Sequence, residues 1–270
     1  MLNILLFAAV GIVAESFVPL SSPPSETEFR CANYSKREWA VSIADGKLRV
    51  RPAPRQTFDS LPFNYKRQPD QVGDRHVVQV TGGWLVGFDA GEFGGGLWWF
   101  SAEGKQSVRL KPPADAPINP EDIFHAENVR GFLKLEDNLF VFMGLDHMSG
   151  RSGRVFRLRQ NNSAWALEPF NTLDGSPDAW VVDHGKILIL TGTGLWQAMA
   201  GGHPRKVHDL QLGGLYPTSM VLAPDEGVYV GMRRYILHLI PTGENWTEEW
   251  LVDADCVHAR IEDYDCKCRH

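Results

Sequence analysis

Cysteine is missing from more than two hundred consecutive residues: Cys31 stands near one end, and Cys256, Cys266 and Cys268 crowd the other. Basic residues are in deficit, with 27 Lys and Arg against 33 Asp and Glu and a formal net charge of −6. That balance excludes a broad phosphate-binding face, and with it nucleic acid or an anionic membrane surface as the partner. The apolar stretch Leu2 to Ala14, broken only by Asn3, is too short to span a bilayer. No segment repeats its apolar positions with a 3.6-residue period over a dozen residues, which argues against a helical protein. A Gly-x-Ser-x-Gly nucleophile elbow is absent, and the nine histidines show no helix-borne zinc spacing.

What remains is rich in aromatics and turn formers: 9 Trp, 14 Phe, 26 Gly and 17 Pro in 270 residues. Such residues suit pleated, half-buried surfaces joined by tight turns. Gly94-Gly95-Gly96-Leu97-Trp98 is echoed by Gly192-Thr193-Gly194-Leu195-Trp196, each copy following an apolar stretch. Four units around these words share a layout of four short strands. They begin at Val77, Gly131, Trp180 and Met220, and they turn at Gly82-Gly83, Asp137-Asn138, His184-Gly185 and Glu226-Gly227. A hairpin from Trp39 to Val50 around Asp45-Gly46 precedes them. Residues Arg51 to Asp74 read as an irregular excursion, and Pro120 to Asn128 as one exposed helical turn.

Four antiparallel strands in each repeat of roughly 40–50 residues is the grammar of a β-propeller blade. The units resemble those of bacterial β-propeller repeat proteins, whose middle strands often carry a Gly-Leu-Trp word such as Gly194-Leu195-Trp196. The resemblance covers Trp39 to Val252, reaches superfamily level only, and implies a fold without a chemistry. Four units and the N-terminal hairpin count as an all-β propeller of five blades, or six if Arg51 to Asp74 hides more strands. Val257 to Ile261 would pair with the first sheet to close the ring. A pair of β-sandwiches is the competing architecture.

Residues 1–14 read as a secretory signal that lacks the usual basic start, 15–37 as a flexible leader, 38–262 as one propeller domain, and 263–270 as a cysteine-bearing tail. The cysteine distribution suits a disulfide clasp joining the two ends, with three pairings open. Zinc is disfavoured by the single-residue gap in Cys266-Lys267-Cys268.

Two polar loops in successive units form the candidate working surface. The first supplies Asp89, Glu92 and Phe93, and the second supplies Asp146, His147, Met148 and Arg151. The carboxylates are candidates for binding a basic partner, with Phe93 and Met148 as apolar anchors. Calcium at Asp89 and Glu92 is the minor alternative, since the loop offers few oxygen ligands in series; no other cofactor is expected. Asp146-His147 and Asp183-His184 do not read as catalytic dyads, because adjacent strand residues point to opposite faces. Trp98 and Trp99 are expected to pack on opposite sides of their sheet.

The chain therefore reads as an exported or periplasmic, monomeric, non-enzymatic scaffold that binds a protein partner, of the inhibitor or immunity kind. The rival reading is a glycan hydrolase or lyase. An enzyme would gather carboxylates from three blades into one site, whereas a binder would show an apolar patch rimmed with charge.

Overall fold

The computed structural model describes residues 12–13, 16–53, 59–116, 127–147, 150–162, 164–199, 202–257, 259 and 265–266. The chain divides into two compact units, Met1–Ala53 with Gly213–His270, and Pro54–Leu212. Residues 1–11 and 14 of the signal-like segment, most of Pro120 to Asn128, Met148 and Cys268 lie outside the described residues.

The Pro54–Leu212 unit holds three antiparallel sheets, each a four-stranded meander. The first runs β5 (Asp74–Val80), β6 (Gly83–Asp89), β7 (Gly95–Ser101) and β8 (Ser107–Leu110). The second runs β9 (Val129–Leu135), β10 (Asn138–His147), β11 (Gly150–Asn161) and β12 (Ala164–Leu173). The third runs β13 (Pro177–Asp183), β14 (Lys186–Thr191), β15 (Gly194–Met199) and β16 (Arg205–Asp209). The turn residues act as their chemistry requires: His184 and Gly185 both take positive φ, 46° and 78°.

Period-2 alternation explains how the sheets pack. On β10, Val141 and Met143 join Leu85, Leu97 and Val129 of one core cluster, while Phe140 and Phe142 join Ile187 and Ile189 of another. A strand buried on both faces needs a continuous apolar run, and Phe140 to Met143 supplies it. Trp99 packs against the first cluster and Trp98 against a separate one with Val86, Phe88 and Phe100, so the two rings do take opposite faces. The irregular excursion covers that outer face with Leu61, Phe63 and Tyr65. Asp59 also accepts from Val77 N at 2.9 Å, which covers part of the β5 edge.

Gly87 marks a close approach between the first two sheets. A Cβ there would stand 2.1 Å from Val129 Cγ1. Gly87→Ala is therefore expected to lower stability by about 1–3 kcal/mol through overpacking, read as an earlier urea midpoint.

The other unit holds two sheets. One contains β1 (Ile12–Val13), β4 (Lys47–Pro52) and β3 (Trp39–Ala44), in that order. The other orders β17 (Ser219–Leu222), β18 (Val228–Gly231), β19 (Tyr235–Thr242), β20 (Asn245–Asp253) and β2 (Phe17–Pro19). Trp39, Val41, Val50 and Ile236 form their shared core. The fifth strand of this sheet comes from the N-terminal side, while most of Val257 to Ile261, expected to pair with the first sheet, lies outside the described residues. Val257 ends a short helix α2 (Ala254–Val257), whose first turn is capped by Asp253 Oδ1 accepting from Asp255 N at 3.1 Å. The stretch 15–37, expected as a flexible leader, carries β2 and a helix α1 (Glu26–Ala32). Ser25 and Glu28 form a reciprocal capping box at the start of α1, a signal present in the sequence Ser25-Glu26-Thr27-Glu28.

Cys256 and Cys266 are disulfide-bonded with Cα atoms 4.7 Å apart, and Cys31 is disulfide-bonded as well. The two ends of the chain also meet through hydrogen bonds. Ser35 Oγ donates to Asp265 O at 2.9 Å, and Lys36 N to Asp265 Oδ1 at 2.7 Å.

Candidate functional site

At one end of the Pro54–Leu212 unit, polar residues from all three sheets converge. Asp89 closes β6 and is buried. Its Oδ1 accepts from Gly91 N at 2.9 Å and from Asn128 Nδ2 at 2.8 Å. The same Asn128 amide reaches Gly91 O and Gly94 O, pinning the single 3-10 turn Gly91–Phe93. Gly91 and Gly94 take φ of 58° and 107°, conformations a Cβ would penalise. The loop is thus a fixed structure, and it presents Phe93 outward at 82% exposure.

The other oxygen of Asp89 pairs with Arg130 Nη1, while Arg130 Nη2 reaches Asp178 Oδ1 at 3.4 Å. Arg130 and Asp178 are each the second residue of the first strand in their sheet, β9 and β13. Burial works against the Arg130 charge, but Asp178 and Asp89 outweigh it and hold the guanidinium more firmly protonated than usual. For Asp178 the balance goes the other way. Burial pushes its carboxyl up to about 7; Arg130 opposes this, and the neighbouring Asp146 and Asp89 charges add to it. Its side chain is only 14% exposed.

Asp146 projects from the end of β10, and its Oδ1 accepts from Ser176 N at 2.8 Å. Its Oδ2 lies 3.1 Å from where a Cβ would stand on either Gly175 or Gly192, so those two glycines make room for it. Partial burial raises its carboxyl, against the Ser176 amide and Arg151, although Asp146 keeps a solvent-exposed surface that weakens the effect. The Ser176 hydroxyl is buried beside Asp178 and tempers that group's rise, yet completes no hydrogen bond of ordinary geometry among the described residues. Burial also lowers His76 on β5, with Asp59 opposing and Arg130 contributing. At the margin, Asp174 accepts from Lys206 Nζ at 2.6 Å and from Thr193 Oγ1; burial would raise this carboxyl, but these donors hold it below its usual range.

Of the residues expected from sequence, Asp89, Glu92, Asp146 and His147 come together here. Glu92 Oε2 and His147 Nε2 pair at 3.0 Å and so join the two loops. Arg151 stands opposite Asp146 in the β10–β11 register. The second loop differs from expectation, because β10 and β11 run on to His147 and Gly150, which pair in register. Asp146 and His147 diverge, Asp146 facing Ser176 and His147 facing Glu92, whereas the adjacent Asp183 Oδ1 and His184 Nδ1 meet at 2.5 Å, with His184 97% exposed in its turn. Sequence reasoning missed Arg130, Asp178 and Asn128. The signal available was a charged residue at the same strand position in consecutive units, Arg130 and Asp178.

Among the described residues, no group of three or more His, Cys, Asp or Glu is arranged to hold a metal ion. Asp89 is committed to Arg130 and Asn128, and Glu92 to His147, so the calcium expectation gains no support from this loop.

The class this defines is an all-β protein of successive antiparallel sheets, carrying a charged cluster at one end of the larger unit. No family model matches the chain, and no curated protein matches it in sequence. Among solved structures it is similar to a streptogramin B lyase, with 15% identity and a TM-score of 0.38 over 67% of this chain and 55% of that one. It is also similar to a protein from Lactobacillus plantarum, with 12% identity and a TM-score of 0.35 over 66% and 51%. A third likeness is to PorZ, a bacterial surface component of the type-IX secretion system of Porphyromonas gingivalis, with 12% identity and a TM-score of 0.41 over 78% and 31%. The chain spans less than two thirds of the length of each, and at these values none of them assigns a family or an activity.

Proposed function

We propose that the chain is a five-bladed propeller scaffold that binds a basic protein partner, taking a lysine or arginine side chain of that partner at the charged end of the Pro54–Leu212 unit. One observation carries the reading. Three carboxylates from three successive sheets, Asp89, Asp146 and Asp178, surround a single guanidinium, Arg130. Fully ionised, the three carboxylates outnumber Arg130 by two charges, of which Arg151 opposite Asp146 offsets one, and Asp178 keeps its proton to about pH 7 instead. A cation arriving on the exposed side of Asp146 would offset that surplus. Phe93 beside the Glu92–His147 pair offers an apolar anchor within a polar surround, and the net charge of −6 favours a basic partner. The Cys256–Cys266 disulfide supports a location in an oxidising compartment outside the cytosol. Among the described residues no helix is long and apolar enough to cross a membrane.

Titration with a hexalysine peptide at low salt tests this. Asp146→Asn with Asp178→Asn is expected to weaken binding at least tenfold, because neutralising both carboxylates removes the surplus charge. Phe93→Ala in the otherwise unaltered chain should leave hexalysine binding intact while weakening capture of a folded basic protein. Unchanged hexalysine affinity in the double variant would overturn the reading.

A second reading, glycan cleavage, has one observation in its favour: Asp178 titrates near neutrality beside the Asp146 carboxylate, as a proton donor and a base would. Arg130 pins both Asp89 and Asp178, an arrangement better suited to holding charge than to exchanging protons with a sugar.

A further inference from the structure

Four carboxylates stand at the charged end of the Pro54–Leu212 unit, and three of them are committed. Asp89 is held by Arg130, Asn128 and Gly91 N, and Asp178 lies against Arg130. Asp174 accepts from Lys206 Nζ and Thr193 Oγ1. Asp146 differs. Its Oδ1 accepts from Ser176 N at 2.8 Å, whereas its Oδ2 accepts no hydrogen bond among the described residues. Arg151, opposite it in the β10–β11 register, acts on Asp146 through its charge and forms no ion pair with it among the described residues.

The open oxygen faces a gap that two glycines create. A Cβ on Gly192 would stand 3.1 Å from Asp146 Oδ2 and, its chain neighbours aside, meet no other described heavy atom within 4 Å. A Cβ on Gly175 would also come within 3.1 Å of that oxygen, with Thr191 Cβ and Thr193 Oγ1 at 3.4 and 3.5 Å. Neither glycine takes a positive φ, so the backbone does not demand glycine here, and what the residue supplies is room for a close approach. Gly192 also opens the second copy of the repeated word, Gly192-Thr193-Gly194-Leu195-Trp196. Ser176, directly after Gly175, is 3% exposed, and its hydroxyl completes no hydrogen bond of ordinary geometry among the described residues. A buried hydroxyl in that state is costly, and an N–H donor entering beside it relieves the cost.

We propose that the gap between Gly175 and Gly192 seats the primary ammonium of a lysine side chain of the partner, and that it discriminates against arginine. This rests on the binding reading above and narrows it. A guanidinium is planar and binds best through two parallel N–H donors to both oxygens of one carboxylate. Ser176 N already engages Oδ1, so Asp146 presents one open oxygen rather than a fork. An ammonium is a compact point charge with three donors on an unbranched stem, which suits a single oxygen in a gap free of side chains. An acidic surface without such a gap gives lysine no advantage, because guanidinium pairs with exposed carboxylates at least as well.

Calorimetric titration of the full chain at low salt with hexalysine and with hexaarginine tests this. Hexalysine is expected to bind about tenfold more tightly than hexaarginine. Gly192→Ala keeps every charge and sets a methyl group against Asp146 Oδ2. It should weaken hexalysine about tenfold and leave hexaarginine within about twofold, at an unchanged urea midpoint. Equal or tighter binding of hexaarginine to the unaltered chain overturns the inference, as does a Gly192→Ala variant that binds hexalysine as before. Should Gly192→Ala lower the urea midpoint, the comparison of the two peptides on the unaltered chain decides alone. Hexalysine binding that resists Asp146→Asn with Asp178→Asn removes the binding reading as well. Binding lost in that pair yet blind to Gly192→Ala removes the lysine choice alone.

Discussion

Arg130→Met is expected to destabilise the protein by about 2–4 kcal/mol, below the cost typical of breaking a fully buried ion pair because the Arg130 side chain is itself 31% exposed. Arg130 links Asp89, at 6% side-chain exposure, with Asp178 at 14%. Without it, two carboxylates sit in poorly solvated positions with no counter-charge between them. The loss should be partly relieved in Arg130→Met with Asp178→Asn, because the second change removes one of the stranded charges. A double-mutant cycle read by urea denaturation at pH 7.5 measures this coupling. Strict additivity of the two changes would mean that Arg130 and Asp178 do not sense each other.

Asp178→Asn alone should alter how stability depends on pH. Its folded-state carboxyl titrates at about 7 against an ordinary value of 3.8, so between those limits the folded protein holds a proton that the unfolded chain releases. Stability from this group is thus fully present below about pH 4 and declines as pH rises towards 7. At roughly 1.4 kcal/mol per unit, the decline amounts to about 4–5 kcal/mol as an upper bound. The asparagine variant lacks this slope and should be the more stable protein at pH 8, by about 2–4 kcal/mol on the same arithmetic. Parallel denaturation series at pH 5 and pH 8 give the answer. Curves that keep the same separation at both values would show that Asp178 ionises normally.

The strand order was readable because sheets buried on both faces need apolar runs and tight turns need particular residues. Trp84 to Phe88, Ile187 to Leu190 and the Asp45-Gly46 turn all stand where the sequence places them. Strand ends were harder. β10 and β11 continue through Leu145 to His147 and Gly150 to Gly153, where backbone pairing persists after the apolar alternation has stopped. The N-terminal segment misleads for a related reason: Ser, Pro and Glu dominate its composition, and its three β2 residues acquire meaning only beside β20. At the site, the loop residues Asp89, Glu92, Asp146 and His147 were legible as polar groups in equivalent connections. Arg130 with Asp178 was not, since 48 residues separate them and only the stacking of consecutive sheets brings them together.

Binding of a cation at this cluster has a proton signature that a simple surface attraction lacks. Calorimetric titration of the full chain with hexalysine at pH 7, in two buffers of different ionisation enthalpy, counts the protons exchanged. A cation that makes good the surplus charge should favour the ionised form of Asp178, so net release of up to about half a proton per complex is expected at pH 7, where Asp178 starts about half protonated. Hexalysine binding with no proton release, or with the same release in Asp178→Asn, would contradict it.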